Sequence, residues 1–217
     1  MGKLLSDVMK RPVAVARQRL QTGAFDSVFG GGVTYGSVNV LSGPPGSGKT
    51  SMLLQIADRV VAKPVLFANN EMSDEEVAEY ARRIGLEHTS DIILCDGSST
   101  KAVMLAVEAY RPSLLLVDSL DGMVGSAHFR EAEDFVRELL KRTVTSILTV
   151  SSARNGAASM PRTVQAATGS FYLDKDDVTG RRLFFAEKNR CGPAPVSSYF
   201  FVDERGRLII DLNQENH

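Results

Sequence analysis

Apolar residues along this chain follow two spacings, short unbroken runs and a recurrence at every third or fourth position. Val38–Leu41, Val65–Ala68, Ile92–Cys95, Leu114–Val117 and Ser146–Val150 are strand-length and largely apolar. Strands buried on both faces read this way. Between them lie periodic stretches: Ser51–Val61 with Met52, Leu53, Ile56 and Val60, and Ser73–Ile84. Two more are Thr100–Tyr110 with Val103, Ala106, Val107 and Tyr110, and Phe129–Arg142 with Phe135, Val136, Leu139 and Leu140. Each places its apolar residues on one helical face. Ser73 and Glu76 form a capping box at the start of the second helix, and Gly85 closes it. Strands and helices in alternation predict an α/β fold, a mostly parallel central sheet flanked by helices. The pattern changes after about residue 170. Phe171–Leu173, Leu183–Ala186, Tyr199–Val202 and Leu208–Ile210 are joined by turn-forming stretches at 176–180 and 203–206. They predict antiparallel strands at the C-terminal end of the sheet.

Ahead of the first strand, Gly30–Gly32 demand a turn with backbone angles that other residues avoid. Residues 1–20 are basic and weakly amphipathic, with Leu4, Leu5, Val8 and Met9, and Pro12 interrupts them. They read as an N-terminal segment or docking arm, and residues 21–217 as one domain. Composition narrows the class. At 217 residues, 43% hydrophobic and 24% charged, the chain suits a single globular α/β domain. Its net charge of −1 excludes a global basic field, so any polyanion contact is local or shared among subunits. Cys95 and Cys191 have no metal-ligand spacing and the 3 histidines are scattered. That argues against zinc or a disulfide framework and points to a reducing, cytoplasmic setting. No apolar run is long enough to span a membrane, and the amino terminus lacks a signal-peptide core.

The chemistry is concentrated at Gly43-Pro44-Pro45-Gly46-Ser47-Gly48-Lys49-Thr50, followed by Ser51. This is the G-x-x-x-x-G-K-[ST] phosphate-binding loop, set between a strand and a helix as its mechanism requires. Glycines let backbone N–H groups face the phosphates, Lys49 reaches the β- and γ-phosphates, and the Thr50 hydroxyl meets Mg²⁺. Asp118 ends the Leu114–Val117 run, where a second Mg²⁺ ligand belongs. Glu71 follows the Val65–Ala68 run, at the end of a strand where α/β sheets gather their ligands. Two readings of Glu71 stand level: a base that activates water, and a charge favouring the next helix. Lys188 and Arg190 form a pair of cations after another strand. They suit either a finger on a neighbouring subunit's γ-phosphate or a solvated basic turn.

Thr22-Gly23, Phe29–Gly32, Gly36 and Gly43–Ser51 together resemble the entry to a RecA-superfamily ATPase core. Asn70-Glu71-Met72-Ser73 resembles the Glu-Met-Ser segment of DnaB-type helicases, whose Glu is the catalytic base. Lys188–Gly192 resembles the Lys-Asn-Arg-Phe-Gly motif of RadA/Sms recombination ATPases, with Cys191 in place of the Phe. It is similar also to the Lys-x-Arg finger of DnaB-type proteins. The likeness runs from about Thr22 to Asp211. The zinc finger and Lon-like domain of RadA/Sms proteins and the helical domain of DnaB-type helicases have no counterpart here. The resemblance therefore implies a minimal RecA-like motor core over residues 21–217.

It implies ATP and Mg²⁺ as cofactors and a homo-oligomer, a hexameric ring, with Lys188 and Arg190 acting in trans. It also implies single-stranded DNA as partner, in recombination, repair or replication, alongside other proteins of those processes. DNA would meet the loops at 121–130 and 153–165, through Arg130, Arg154, Asn155, Gly156 and Arg162. Two other classes remain in view, a KaiC-like regulatory ATPase scaffold and an accessory nucleotide-binding module, neither binding DNA.

Overall fold

A computed structural model describes residues 19–125, 128–152 and 159–211. Strand β1 (Arg19–Leu20), a 3-10 turn (Gly23–Phe25), helix α1 (Asp26–Phe29) and strand β2 (Val33–Thr34) lead into the core. Then β3 (Val38–Gly43), α2 (Lys49–Arg59), β4 (Val65–Asn69), α3 (Asp74–Ile84), β5 (Ile92–Asp96) and α4 (Thr100–Tyr110) alternate. They continue with β6 (Leu114–Asp118), α5 (Leu120–Val124), α6 (Phe129–Lys141), β7 (Ser146–Ser151) and α7 (Pro161–Ala166). The chain closes with β8 (Gly169–Lys175), β9 (Arg182–Asn189), β10 (Val196–Val202) and β11 (Leu208–Ile210).

Among the described residues, one 9-stranded sheet runs in the order β11-β10-β9-β8-β3-β7-β6-β4-β5. Neighbours from β8 through β5 pair parallel. The β8–β9, β9–β10 and β10–β11 pairs are antiparallel. This is the mostly parallel sheet with an antiparallel C-terminal extension that the hydrophobic pattern predicts.

The continuous apolar runs are explained by the two faces they serve. Leu114 and Leu116 pack with Val65, Phe67 and Leu41 beneath α2 and α3. Leu115 and Val117 pack with Leu66, Ala68, Val38 and Val40 beneath α4, α5 and α6. The first face extends over β8–β10 through Phe25, Phe29, Phe171, Phe184 and Phe200. Their rings meet at centroid separations such as 4.6 Å for Phe29–Phe171 and 5.2 Å for Phe25–Phe200. Offset and edge contacts of this kind fasten the 3-10 turn and α1 over the antiparallel strands.

Three details depart from the sequence pattern. Tyr110 shares a helical face with Val103 and Val107, yet as the last residue of α4 it is 50% exposed. The two expected loops carry short helices. Ser119 Oγ accepts from Gly122 N at 3.2 Å and starts α5, so that Arg130 stands in the first turn of α6. Pro161 starts α7, which carries Arg162. Such short helices leave no periodic signal, and Gly122 argues against one.

Candidate functional site

The phosphate loop leaves β3 at Gly43, where the backbone is crowded. A Cβ there would meet Leu173 O at 2.4 Å and Ser47 Oγ at 2.8 Å. Gly46 (φ +76°) and Gly48 (φ +106°) take left-handed angles that turn the loop into α2, and a Cβ on Gly46 would meet nothing within 4 Å. The N-cap residue of α2 is Gly48, which has no side chain to cap it. The N–H groups of its first turn are thus available to an anion, which the helix dipole favours.

Lys49 reaches back over the loop, and its Nζ donates to Gly43 O at 2.8 Å and Pro44 O at 3.2 Å. Burial lowers its pKa, against the attraction of Asp118, Asp121 and Glu71. Thr50 Oγ1 donates to Asp118 Oδ2 at 2.6 Å. On the other side, Thr149 Oγ1 of β7 donates to Asp118 Oδ1, also at 2.6 Å. Asp118 is 1% exposed. Burial pushes its pKa up, the two hydroxyl donors pull it down, and Glu71 and Lys49 have opposite smaller effects. A buried carboxylate raised in this way gains from a cation.

Glu71 stands at the mouth of the site on a turn built by two asparagines. Asn69 Oδ1 accepts from Glu71 N at 3.2 Å and Met72 N at 3.3 Å. Asn70 ties β4 to its neighbours. Its Nδ2 donates to Ser119 O at 2.7 Å and Gly97 O at 3.1 Å, and its Oδ1 accepts from Ser119 N at 3.2 Å. Asn69 pairs in register with Asp118, so Glu71 and Asp118 emerge together. Lys49, Thr50, Ser51, Glu71 and Asp118, with Pro45, Gly46 and Gly48, line a cleft of about 430 Å³. Tyr80, Arg182, Val202 and Leu208 complete its walls.

A nucleotide with Mg²⁺ fits these residues by the chemistry of the donors. The loop offers an open glycine cradle and an uncapped helix start for phosphate. Thr50 and Asp118 offer the hard oxygen ligands that Mg²⁺ takes alongside phosphate and water. Ser47 Oγ, buried without a hydrogen-bond partner among the described residues, lies within the loop.

Lys188 and Arg190 do not line this cleft. Lys188 Nζ closes the end of α7, donating to Gln165 O at 2.9 Å, Ala167 O at 2.7 Å and Val164 O at 3.4 Å. Arg190 is exposed at the end of β9. The loop after it is held firmly: Asn189 Oδ1 accepts from Cys191 N at 3.0 Å, and Asn189 Nδ2 donates to Phe29 O at 3.2 Å. Arg19 Nη2 donates to Cys191 O at 2.6 Å, while its Nη1 contacts the carbonyls of Phe29, Gly30 and Gly32. The glycine turn thus forms the seat of the Arg190 loop, and a Cβ on Gly30 would meet Pro193 Cδ at 2.7 Å.

Arg130 and Arg162 share a separate groove of about 750 Å³ with Lys101, His128 and Phe129, where Glu131, Asp134 and Glu138 also stand. Arg154, Asn155 and Gly156 lie outside the described residues. Sequence reasoning assigned no role to Thr149, Asn70 or Arg182. Thr149 sits inside an apolar strand, where nothing in the pattern marks it.

Residues 39–175 match the family described as ATPase family associated with various cellular activities (AAA). The chain belongs to that family, and its fold is that of a RecA-superfamily P-loop ATPase core. It is similar to DNA repair protein RadA of Salmonella typhimurium, at 30% identity over 202 residues covering 87% of this chain and 44% of the relative. DNA repair protein RadA of Aquifex aeolicus is 27% identical over 195 residues, 84% of this chain and 44% of that protein. The chain thus spans less than half the length of these curated relatives. A KaiC-like protein from Pyrococcus horikoshii has the same fold, with a TM-score of 0.77 at 18% identity over 90% of this chain and 99% of that one. No helix among the described residues is long and apolar enough to cross a membrane.

Proposed function

We propose that this protein is a Mg²⁺-dependent ATPase that hydrolyses ATP between subunits of a homo-oligomeric ring and couples hydrolysis to single-stranded DNA. The observation that carries the reading is the convergence of Lys49, Thr50, Asp118 and Glu71 on one cleft at the carboxyl ends of β3, β6 and β4. Lys49 and the loop N–H groups hold the phosphates. Thr50 and Asp118 hold Mg²⁺, which neutralises phosphate charge when bound. Glu71, exposed and backed by the Asn69 turn, orients water and takes its proton. Arg190 lies outside its own cleft on a well-anchored loop, which supports a role at the neighbour's γ-phosphate. Lys188 would reach that phosphate only by releasing the end of α7, so Arg190 carries more of the finger's role.

Arg130 and Arg162 support the DNA reading by sharing a groove with Lys101 and with Phe129, which is 42% exposed and offers a face for base stacking. Similarity to RadA, a DNA repair protein by name, points the same way. The three carboxylates in that groove favour a second reading, a KaiC-like scaffold that binds protein in place of DNA.

Steady-state hydrolysis with and without single-stranded DNA, at low and high salt, separates the two. DNA stimulation that salt removes, absent in Arg130→Ala/Arg162→Ala and lost with all hydrolysis in Glu71→Gln, is the expected result. Hydrolysis indifferent to DNA would retire the DNA reading and leave the ATPase in place.

A further inference from the structure

Arg182 opens β9 on the antiparallel side of the sheet, far in sequence from the phosphate loop. Its guanidinium lies against the carbonyls of that loop. Nε donates to Ser47 O at 2.8 Å, Nη2 to Gly46 O at 3.4 Å, and Nη1 to Gly180 O at 2.6 Å. The residue is only 9% exposed and forms part of the cleft wall. Its opposing charge is the distant pull of Asp177, which is itself paired with Lys175 at 3.1 Å. A buried guanidinium is costly unless its donors find partners, and here each of its three nitrogens meets a backbone carbonyl of the phosphate loop or of the β8–β9 turn.

The geometry has a direct consequence for the anion-binding face. A peptide unit is planar and trans, so its C=O and N–H point in opposite directions. Fixing Ser47 O on Arg182 therefore fixes the direction of the Gly48 N–H on the opposite side of the loop. Fixing Gly46 O does the same for the Ser47 N–H, which closes the turn onto Pro44 O at 3.2 Å. The cation also polarises the peptides it holds, which makes their N–H groups better donors. Gly46 and Gly48 leave the loop backbone free to take other angles, so an external brace is needed to hold one set.

We propose that Arg182 is a positioning residue of the phosphate site, which holds the loop peptides of Gly46 and Ser47 in the orientation that grips a di- or triphosphate. It acts through the loop, in its own subunit. The inference rests on the ATP site described above and is independent of the DNA and trans-finger readings.

Binding of Mg·ATP, Mg·ADP and Mg²⁺ with inorganic tripolyphosphate by the full chain, together with steady-state hydrolysis, tests it. Wild type, Arg182→Gln, Arg182→Lys and Lys49→Ala are compared. Arg182→Gln is expected to weaken all three ligands in parallel, by about ten- to a hundredfold, the range for losing charge-assisted hydrogen bonds. Its kcat at saturating ATP stays within about threefold, because the loop grips ground and transition states alike. Arg182→Lys keeps the charge with fewer donors and recovers part of the affinity. Unchanged affinity in folded Arg182→Gln, or a fall in kcat with KM unmoved, would overturn the inference. If Arg182→Gln shows no cooperative unfolding, the same ratios in Arg182→Lys decide. A wild-type protein that binds no Mg·ATP, like the Lys49→Ala control, would instead overturn the nucleotide site itself.

Discussion

Asp118 is held by hydroxyls on both of its oxygens, Thr50 from α2 and Thr149 from β7. The first donor belongs to the phosphate-loop motif, and with Asp118 it would hold a Mg²⁺ ion there. The second is buried, and among the described residues its hydroxyl meets Asp118 and Val117 O, the latter at 3.2 Å. Thr149→Val keeps the shape and removes that donor. It is expected to cost about 1–3 kcal/mol of stability by leaving Asp118 short of a partner. It should also raise the Mg²⁺ concentration for half-maximal hydrolysis several-fold, read in a Mg²⁺ titration beside a urea melt. Lys49 and Thr50 were legible in the sequence because they belong to a motif whose spacing is set by the phosphate, and Asp118 because it ends an unbroken apolar strand. Thr149 and Arg182 were not, because a side chain that acts from a neighbouring strand has no fixed distance in sequence from what it supports. A second residue-scale prediction concerns Cys95, whose thiol burial pushes up to about 11, with Asp96 adding to the effect. The raised value leaves about one thiol in a thousand ionised at pH 8. Alkylation at Cys95 should therefore be slow there and rise about tenfold per pH unit up to about pH 11, as read by mass spectrometry of the labelled peptide.

At the scale of elements, what could be read from sequence was what packing demands over a full strand or several helical turns. The capping box formed as expected, with Ser73 Oγ accepting from Glu76 N at 3.2 Å and Glu76 Oε2 from Ser73 N at 2.7 Å. The short helices α5 and α7 were missed because their formation depends on caps and on the elements they lean against. The Gly30–Gly32 turn lies between these cases: its strain was legible, but its role as the seat of the Arg190 loop was not. The turn offers a controlled comparison. Gly32 has φ +105°, and a Cβ there would meet Leu20 O at 2.4 Å, while Gly31 at φ +95° faces only Arg19 Cδ at 3.8 Å. Gly31→Ala bears the cost of a left-handed angle, about 1–2 kcal/mol. Gly32→Ala adds a backbone clash that parts β1 from β2, and should cost about 1–2 kcal/mol more. Urea denaturation of the two variants checks the order.

For the whole molecule, the strand order brings the ends of β3, β4 and β6 to one edge and leaves Arg190 elsewhere. An active site completed by a neighbour makes a sharp prediction for mixtures. Glu71→Gln and Arg190→Ala are each expected to be inactive alone. Mixed under conditions that exchange subunits, they should regain a fraction of wild-type hydrolysis. Some interfaces then join the intact cleft of one variant to the intact arginine of the other. Mixtures as inactive as their parts would place Arg190 in its own subunit's site or outside catalysis. Subunit exchange, followed by mass, checks that mixed oligomers form.

Arg19 is the first described residue, and its guanidinium grips both the glycine turn and Cys191 O. The backbone at Arg19 is therefore tied to the loop that carries Arg190. If Arg190 serves a neighbour's γ-phosphate as proposed, tension applied ahead of Arg19 would reach Arg190 before it reached the subunit's own cleft. A subunit tugged in this way would slow the engine next door before it slowed its own.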